Sequence, residues 1–186
     1  MIPKTKINVV KNQASSSTFK VSNSSSFITD LIIDIYSNPE EAVMRELVSN
    51  AVDAHKESKT NNPIFLFLPT ESENKFIVRD YGNGISQEDM EELFITIGAS
   101  SKRWTNEQIG GFGIGRLSIF TCTDSAVITS IYNGKKSVYL WNRSNDGGVE
   151  LSLQVSVMSN EEPGVKIEFV PNENLNFQKD RAVIKF

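Results

Sequence analysis

The clearest pattern of apolar and polar positions runs from Pro39 to about Ser58. Val43, Leu47, Ala51 and Ala54 recur there at spacings of three and four, which puts an apolar stripe on one side of a helix. Asn38-Pro39-Glu40-Glu41 marks its start: Asn38 supplies a cap, Pro39 fits the first turn, and Glu41 stands where a capping-box acid belongs. Upstream, Phe27, Leu31 and Ile35 predict a helix over 27–36. Downstream, Ile64 to Leu68 reads as a buried strand, and Phe76 to Arg79 as a second strand that delivers Asp80 at its end. Ser86, with Asp89 three residues on, starts another helix whose inner face is Met90, Leu93, Phe94 and Ile97.

Residues 98–112 lose this periodicity. They hold three glycines and Ser100-Ser-Lys-Arg103, and predict a mobile loop. A helix over 116–120 follows, then strands over 125–132 and 136–142 joined by Asn133-Gly134, a strong hairpin signal. Asn145-Asp-Gly-Gly148 turns into a strand over 149–157, and Pro163-Gly164 precedes a last strand from Val165 to Val170. Helices and loops around a sheet whose later strands meander imply an α+β fold. No internal repeat is visible.

Composition narrows the chemistry. The chain's 186 residues suit one domain, and its 39% hydrophobic and 23% charged content is ordinary for a soluble globular protein. A net charge of -4 and a pI near 5.1 give no electrostatic reason to expect nucleic-acid binding. The single cysteine, Cys122, excludes an internal disulfide and a cysteine-rich metal site, and reads as a small core residue. The single histidine, His55, excludes multi-histidine ligation. It is expected near a site rim or in solvent. Ser49, Asp53 and His55 have no nucleophile elbow around them, so they do not make a hydrolytic triad. Any metal is therefore expected through oxygen, which points to magnesium arriving with phosphates. No apolar run is long enough to span a bilayer and the first residues are polar, so neither a transmembrane segment nor a leader is expected, and a cytoplasmic location is. Residues 1–26, with Ser15-Ser-Ser17 and Ser24-Ser-Ser26, form an N-terminal arm: either a flexible tail, or a strand that docks on a partner subunit, since Phe19 and Val21 alternate with polar residues.

Three segments carry candidate chemistry. In Glu46-Leu-Val-Ser-Asn50-Ala-Val-Asp53-Ala54, Glu46 and Asn50 are one turn apart on a helix and Asp53 lies close to the same face. An amide oxygen ligates magnesium without competing with phosphate charge, and a carboxylate one turn away is placed to deprotonate a water. A plain solvated helix face has the same composition. Asp80-Tyr-Gly82-Asn-Gly84 fits a strand-to-turn corner where glycine lets backbone approach a flat ligand. A buried acid there accepts a hydrogen bond from adenine's exocyclic amine; an ordinary Asx-type turn is the alternative. Gly110-Gly-Phe-Gly113-Ile-Gly115 ahead of Arg116-Leu-Ser-Ile-Phe120 offers backbone N–H groups to phosphate at a helix start, or serves as a glycine hinge. It is neither a Walker A loop nor a dinucleotide fingerprint.

In this order the three segments resemble the N, G1 and G2 boxes of the ATPase superfamily that contains gyrase B, the Hsp90 chaperones, histidine kinases and MutL. The resemblance covers residues 39–170. It implies a Bergerat fold: a two-layer sandwich of a mixed sheet with helices on one face, ATP lying between the helices and a lid at 98–112 within a domain over 27–186. It further implies Glu46 as general base, Asn50 as magnesium ligand, Asp53 at the cofactor, Asp80 as adenine reader, and Gly82 and Gly84 shaping the pocket. Gly111, Phe112, Gly113, Ile114 and Gly115 would lie against the phosphates. Lys102 would either reach a phosphate or stay solvated. In the relatives a lysine from a following domain completes the site, so slow turnover is expected of this chain. Lys179 and Lys185 lie in its final segment, but nothing places either at the phosphates. One position departs from the pattern: Val165 follows Gly164 where the family usually has threonine, which would leave Asp80 dependent on water or another partner.

Phe19-Lys-Val21, Asp34-Ile-Tyr-Ser-Asn38, Val43 to His55 and Ile109 to Gly115 are also similar to the N-terminal region of the bacteriophage rapid-lysis A proteins. That likeness implies a phage protein acting inside an infected bacterium. The partners expected besides ATP are a second copy, docked through the N-terminal arm, and a host protein. The leading expectation is a magnesium-dependent ATP-binding switch with slow hydrolysis. The alternative is a non-catalytic interaction module that binds a host protein, with ATP structural or absent.

Overall fold

In the computed structural model the described residues are Asp34, 36–95, 115–144, 148–172, Leu175 and Phe177. The N-terminal arm, most of the 27–36 segment, the 98–112 segment with Lys102 and Gly111, and Phe112, Gly113, Ile114, Lys179 and Lys185 lie outside them.

Helix α1 spans Pro39–Ser58. Its cap is the one the sequence implies: Asn38 is extended, its Oδ1 accepts the Glu41 N–H at 3.3 Å, and its Nδ2 donates to Glu41 Oε2 at 3.2 Å. The helix stops at Lys59, which takes a left-handed conformation with φ 55°. Strands β1 (Phe65–Phe67) and β2 (Phe76–Arg79) follow, then helix α2 (Gln87–Ile95). Ser86 caps α2 reciprocally: its Oγ accepts the Asp89 N–H at 3.1 Å and donates to Asp89 Oδ2 at 2.7 Å.

The helix expected over 116–120 is a 3-10 helix, Gly115–Thr121. Leu117, Ser118, Ile119 and Phe120 are all buried, so this short segment is held on every side. Its close drops to three-residue spacing, with Thr121 Oγ1 donating to the Ser118 carbonyl at 2.6 Å and the Cys122 N–H to Ile119 at 2.9 Å.

Strands β3 (Ser125–Tyr132), β4 (Lys135–Arg143), β5 (Val149–Met158) and β6 (Gly164–Phe169) complete one six-stranded sheet of order β1-β2-β6-β3-β4-β5. Asn133 and Gly134, with φ 49° and 74°, make the tight β3–β4 turn. The expected mixed sheet is instead antiparallel at every described pairing. The reason is connectivity: β3, β4 and β5 meander, and the short turn after β5 reverses the chain so that β6 runs against both β2 and β3. The α+β two-layer reading stands.

The core lies between α1, α2 and the 3-10 helix on one side and the sheet on the other. Val43, Leu47 and Ala51 belong to the same cluster as Phe76, Val78, Ile119 and Ile128. Trp141 is fully buried, with Phe94 and Phe120 edge-on at 5.0 and 4.6 Å. Phe177, in what reads as a polar final segment, is 1% exposed and packs on Phe76 at 5.2 Å.

Candidate functional site

The site is built where the end of β2 passes under α1. Period two along β2 puts Asp80 on the inward face with Phe76 and Val78. Asp80 is 7% exposed. Its own N–H donates to the Val165 carbonyl at 2.9 Å, which extends the β2–β6 pairing by one residue. Its Oδ1 accepts the Gly82 N–H at 2.9 Å and the Val165 N–H at 3.2 Å. Oδ2 takes no hydrogen bond from the described residues and is the oxygen left for a ligand.

Position 165 meets Asp80 through its main chain. A valine side chain donates no hydrogen bond, but its backbone exchanges two with Asp80, one through each of its polar groups.

Glycines close the corner. A Cβ on Gly82 would stand 2.9 Å from Ala54 Cβ on α1, so the turn lies directly against the helix. Gly84 has φ +75°, and a Cβ there would meet the Ile131 carbonyl oxygen at 2.0 Å. Just beyond, Ser130 Oγ both donates to the Ile85 carbonyl and accepts its N–H, each at 2.8 Å, which pins the turn to β3. His55 holds the other side: its Nε2 accepts the Tyr81 N–H at 2.8 Å. It therefore sits at the rim of the corner.

Gly164 carries the sharpest constraint. Its φ is +135°, and a Cβ would lie 2.2 Å from the Asp80 carbonyl oxygen. Gly164→Ala should cost about 3 kcal/mol from strain and backbone displacement together. Gly134→Ala is the contrast. Its φ is +74° but the nearest atom is 3.9 Å away, so only the left-handed penalty of about 1 kcal/mol applies. Urea unfolding of both variants checks this; equal losses would show that the close approach at Asp80 is not a constraint.

On α1, Glu46 and Asn50 are partly exposed, whereas Asp53 is buried at 3%. Lys56 Nζ lies 3.9 Å from Asp53 Oδ1. The helix turn thus places Glu46 and Asn50 at the accessible edge and Asp53 beneath it. A Cβ on Gly115 would meet Glu46 Oε2 at 2.0 Å, so the carboxylate rests on the backbone where the 3-10 helix begins. The first and third motifs are in contact through Glu46 and Gly115, and the first and second through Ala54 and Gly82. Of the residues expected at the phosphates, Gly115 alone falls within the described set.

Charge follows this burial. Loss of solvent pushes the Asp80 carboxyl above the ordinary carboxylate range, partly offset by the Gly82 and Val165 N–H groups and by His55 and Arg79. Tyr36 is raised by burial first and then by the Glu46 charge, which places it in the field of that carboxylate. Burial pushes the Cys122 thiol up to about 11, as suits a core residue. Among the described residues no three His, Cys, Asp or Glu side chains cluster to hold a metal. The donors at hand, the Asn50 amide oxygen and the Glu46 carboxylate, are oxygens, the kind magnesium accepts when phosphates and waters supply the remaining positions. Sequence reasoning missed the backbone role of Val165 and the His55 contact. Neither has a local signal, because both depend on strand register.

The comparisons agree with this geometry. Residues 36–168 match the model of the histidine kinase-, DNA gyrase B-, and HSP90-like ATPase family. The chain belongs to that family. Among curated proteins it is 32% identical over 140 residues to the chaperone protein HtpG of Rickettsia canadensis, covering 63% of this chain and 22% of that protein. It is 28% identical over 167 residues to the chaperone protein HtpG of Methylorubrum extorquens, covering 75% and 26% respectively. The chain thus spans about a quarter of the length of these relatives. No helix among the described residues is long and apolar enough to cross a membrane.

Proposed function

We propose that this chain is an adenine-nucleotide switch domain that binds ATP with magnesium and hydrolyses it slowly. The observation that carries the reading is Asp80: a buried carboxylate with Oδ1 engaged by two backbone N–H groups and Oδ2 open. Such an acceptor selects a flat ligand that presents a donor, as adenine does through its exocyclic amine and guanine does not at that position.

In this reading Gly82 and Gly84 shape the pocket by letting the turn pack against α1 and β3, and Asp53 supports the site from the buried side of α1. Glu46 takes a proton from a water as its oxygen attacks the terminal phosphorus, and the bond to the bridging oxygen of the diphosphate breaks. Asn50 would hold magnesium, whose chemistry is to offset phosphate charge. The resemblance assigns Gly111, Phe112, Gly113, Ile114 and Gly115 to the phosphates, with Lys102 as a further cation and 98–112 as the lid.

The alternative, a non-catalytic interaction module, drew its support from Val165. The backbone bonds from Val165 to Asp80 form whichever side chain stands at 165, so the Asp80 turn is built in spite of the departure. The relatives' description as chaperones favours a conformational output for nucleotide binding. The motif likeness to rapid-lysis A proteins favours a phage setting in the host cytoplasm, where a host protein is the target, and the alternation of Phe19 and Val21 favours dimerisation through the N-terminal arm.

The test is calorimetric titration of ATP and GTP, in magnesium and in EDTA, on the wild type and Asn50→Ala. ATP should bind the wild type in magnesium, GTP should bind at least about tenfold more weakly, and Asn50→Ala should lose the magnesium-dependent part. Undiminished affinity of Asn50→Ala in magnesium would remove the metal role. Failure of the wild type to bind either nucleotide would overturn the reading itself.

A further inference from the structure

The turn that presents Asp80 is fixed by three consecutive N–H groups. That of Asp80 goes to the Val165 carbonyl at 2.9 Å, and that of Gly82 to Asp80 Oδ1 at 2.9 Å. The middle one, of Tyr81, goes to His55 Nε2 at 2.8 Å. The middle bond is the one whose acceptor is an imidazole, the side-chain type whose ordinary charge change lies nearest neutral pH.

An imidazole nitrogen accepts a hydrogen bond only while it carries no proton. The contact therefore requires the neutral ring with its hydrogen on Nδ1. Protonation makes Nε2 a donor facing another donor, and the Tyr81 N–H loses its partner. It also sets a positive charge beside the Asp80 carboxylate, where it competes with a ligand amine for that oxygen. The groups around His55 are few. Asp80 feels its charge. The Tyr81 ring lies 6.5 Å away, tilted by 55°. The Arg79 guanidinium lies over that ring at 4.9 Å from its centroid. On α1 itself, Asp53, Lys56 and Glu57 are the neighbouring charges, and Asp53 lies near Lys56.

We propose that His55 is a positioning residue for the nucleotide site: as the neutral imidazole it holds Tyr81 and so keeps the Asp80 turn in its base-accepting geometry, and adenine-nucleotide affinity falls when it takes up a proton. This deepens, and rests on, the reading of Asp80 as the adenine acceptor. It adds a pH response to ATP binding that arises in the apoprotein's own hydrogen bonding.

The experiment joins two measurements. Because His55 is the only histidine, its imidazole nitrogen signals in a nitrogen-15-labelled protein need no assignment by mutation. At about pH 8 the free protein should show the neutral tautomer protonated at Nδ1. A ring protonated at Nε2 there would overturn the proposal. Calorimetric ATP affinity is then followed from about pH 8 to about pH 5.5, across the ordinary histidine range. The wild type should lose about tenfold more than His55→Gln over this range, as expected for a part-buried N–H left unpaired, with that extra step at the His55 midpoint seen by NMR. His55→Gln keeps a non-titrating oxygen acceptor and should lack this step. Superimposable pH profiles for the two proteins, or a wild-type step that does not track the imidazole, would overturn the positioning role. Asp80→Asn at pH 8 separates the two levels: if it binds ATP as the wild type does, the adenine reading fails and the His55 proposal fails with it.

Discussion

Glu46→Ala should bind ATP with an affinity within about twofold of wild type and lose turnover by about 10²- to 10⁴-fold. The asymmetry follows from where a general base acts. It removes a proton from water as the new phosphorus–oxygen bond forms, and contributes little to holding the unreacted nucleotide. The structure adds a control. The Glu46 carboxylate lies on Gly115, so its loss opens a small space at the start of the 3-10 helix and breaks no hydrogen bond among the described residues. An unchanged thermal midpoint would separate chemistry from folding. Single-turnover hydrolysis at saturating ATP is the measurement. Equal rates in the two proteins would remove Glu46 as the base.

Asp80→Asn should weaken ATP binding by about 10- to 100-fold and narrow the preference over GTP, while the ligand-free fold becomes no less stable. Asn keeps an Oδ1 for the Gly82 and Val165 N–H groups but puts a donor where Oδ2 stands, facing the donor of adenine. The stability half follows from proton linkage. Burial raises the Asp80 carboxyl above its ordinary range. Folding then favours the protonated acid: that contribution is complete below the unfolded value of about 3.9 and is lost as pH rises through the raised folded value. At neutral pH the ionised acid costs stability, and the amide removes that cost. Thermal shifts with and without ATP, near pH 5 and near pH 8, check both parts. A variant that keeps the full ATP-induced shift, or that melts well below wild type without ligand, would show Asp80 to be a turn residue only.

Much of this molecule was legible because its signals are local. The Asn38–Glu41 and Ser86–Asp89 caps each close over three residues, and the Asn133-Gly134 turn over two. Short-range hydrogen bonding and backbone sterics decide such features, so neighbouring residue types are enough to predict them. The apolar stripe of α1 likewise fixed which side of the helix is buried, and with it the accessible edge that carries Glu46 and Asn50. The three motifs and their order defined the family.

Tertiary structure decided what the motifs rest on. The Val165–Asp80 bond joins residues 85 apart, and the His55–Tyr81 bond residues 26 apart. Each joins a backbone N–H to a distant side chain through strand register and helix placement, and backbone N–H groups look alike at every position in a sequence. That valine at 165 brings no side-chain hydrogen bond was legible; that its main chain exchanges two with Asp80 was not. Asp53 read as part of an accessible face, yet the same helix turn buries it. Phe177 read as tail, yet two aromatic rings of the sheet give it a place in the core. The direction of β6, and so the antiparallel sheet, follows from the turn after β5. The sequence by itself determined the three motifs, and with them the family, and most of the elements along the chain. Only the packed chain decided which oxygen of Asp80 is open, because that depends on partners brought together by long-range pairing.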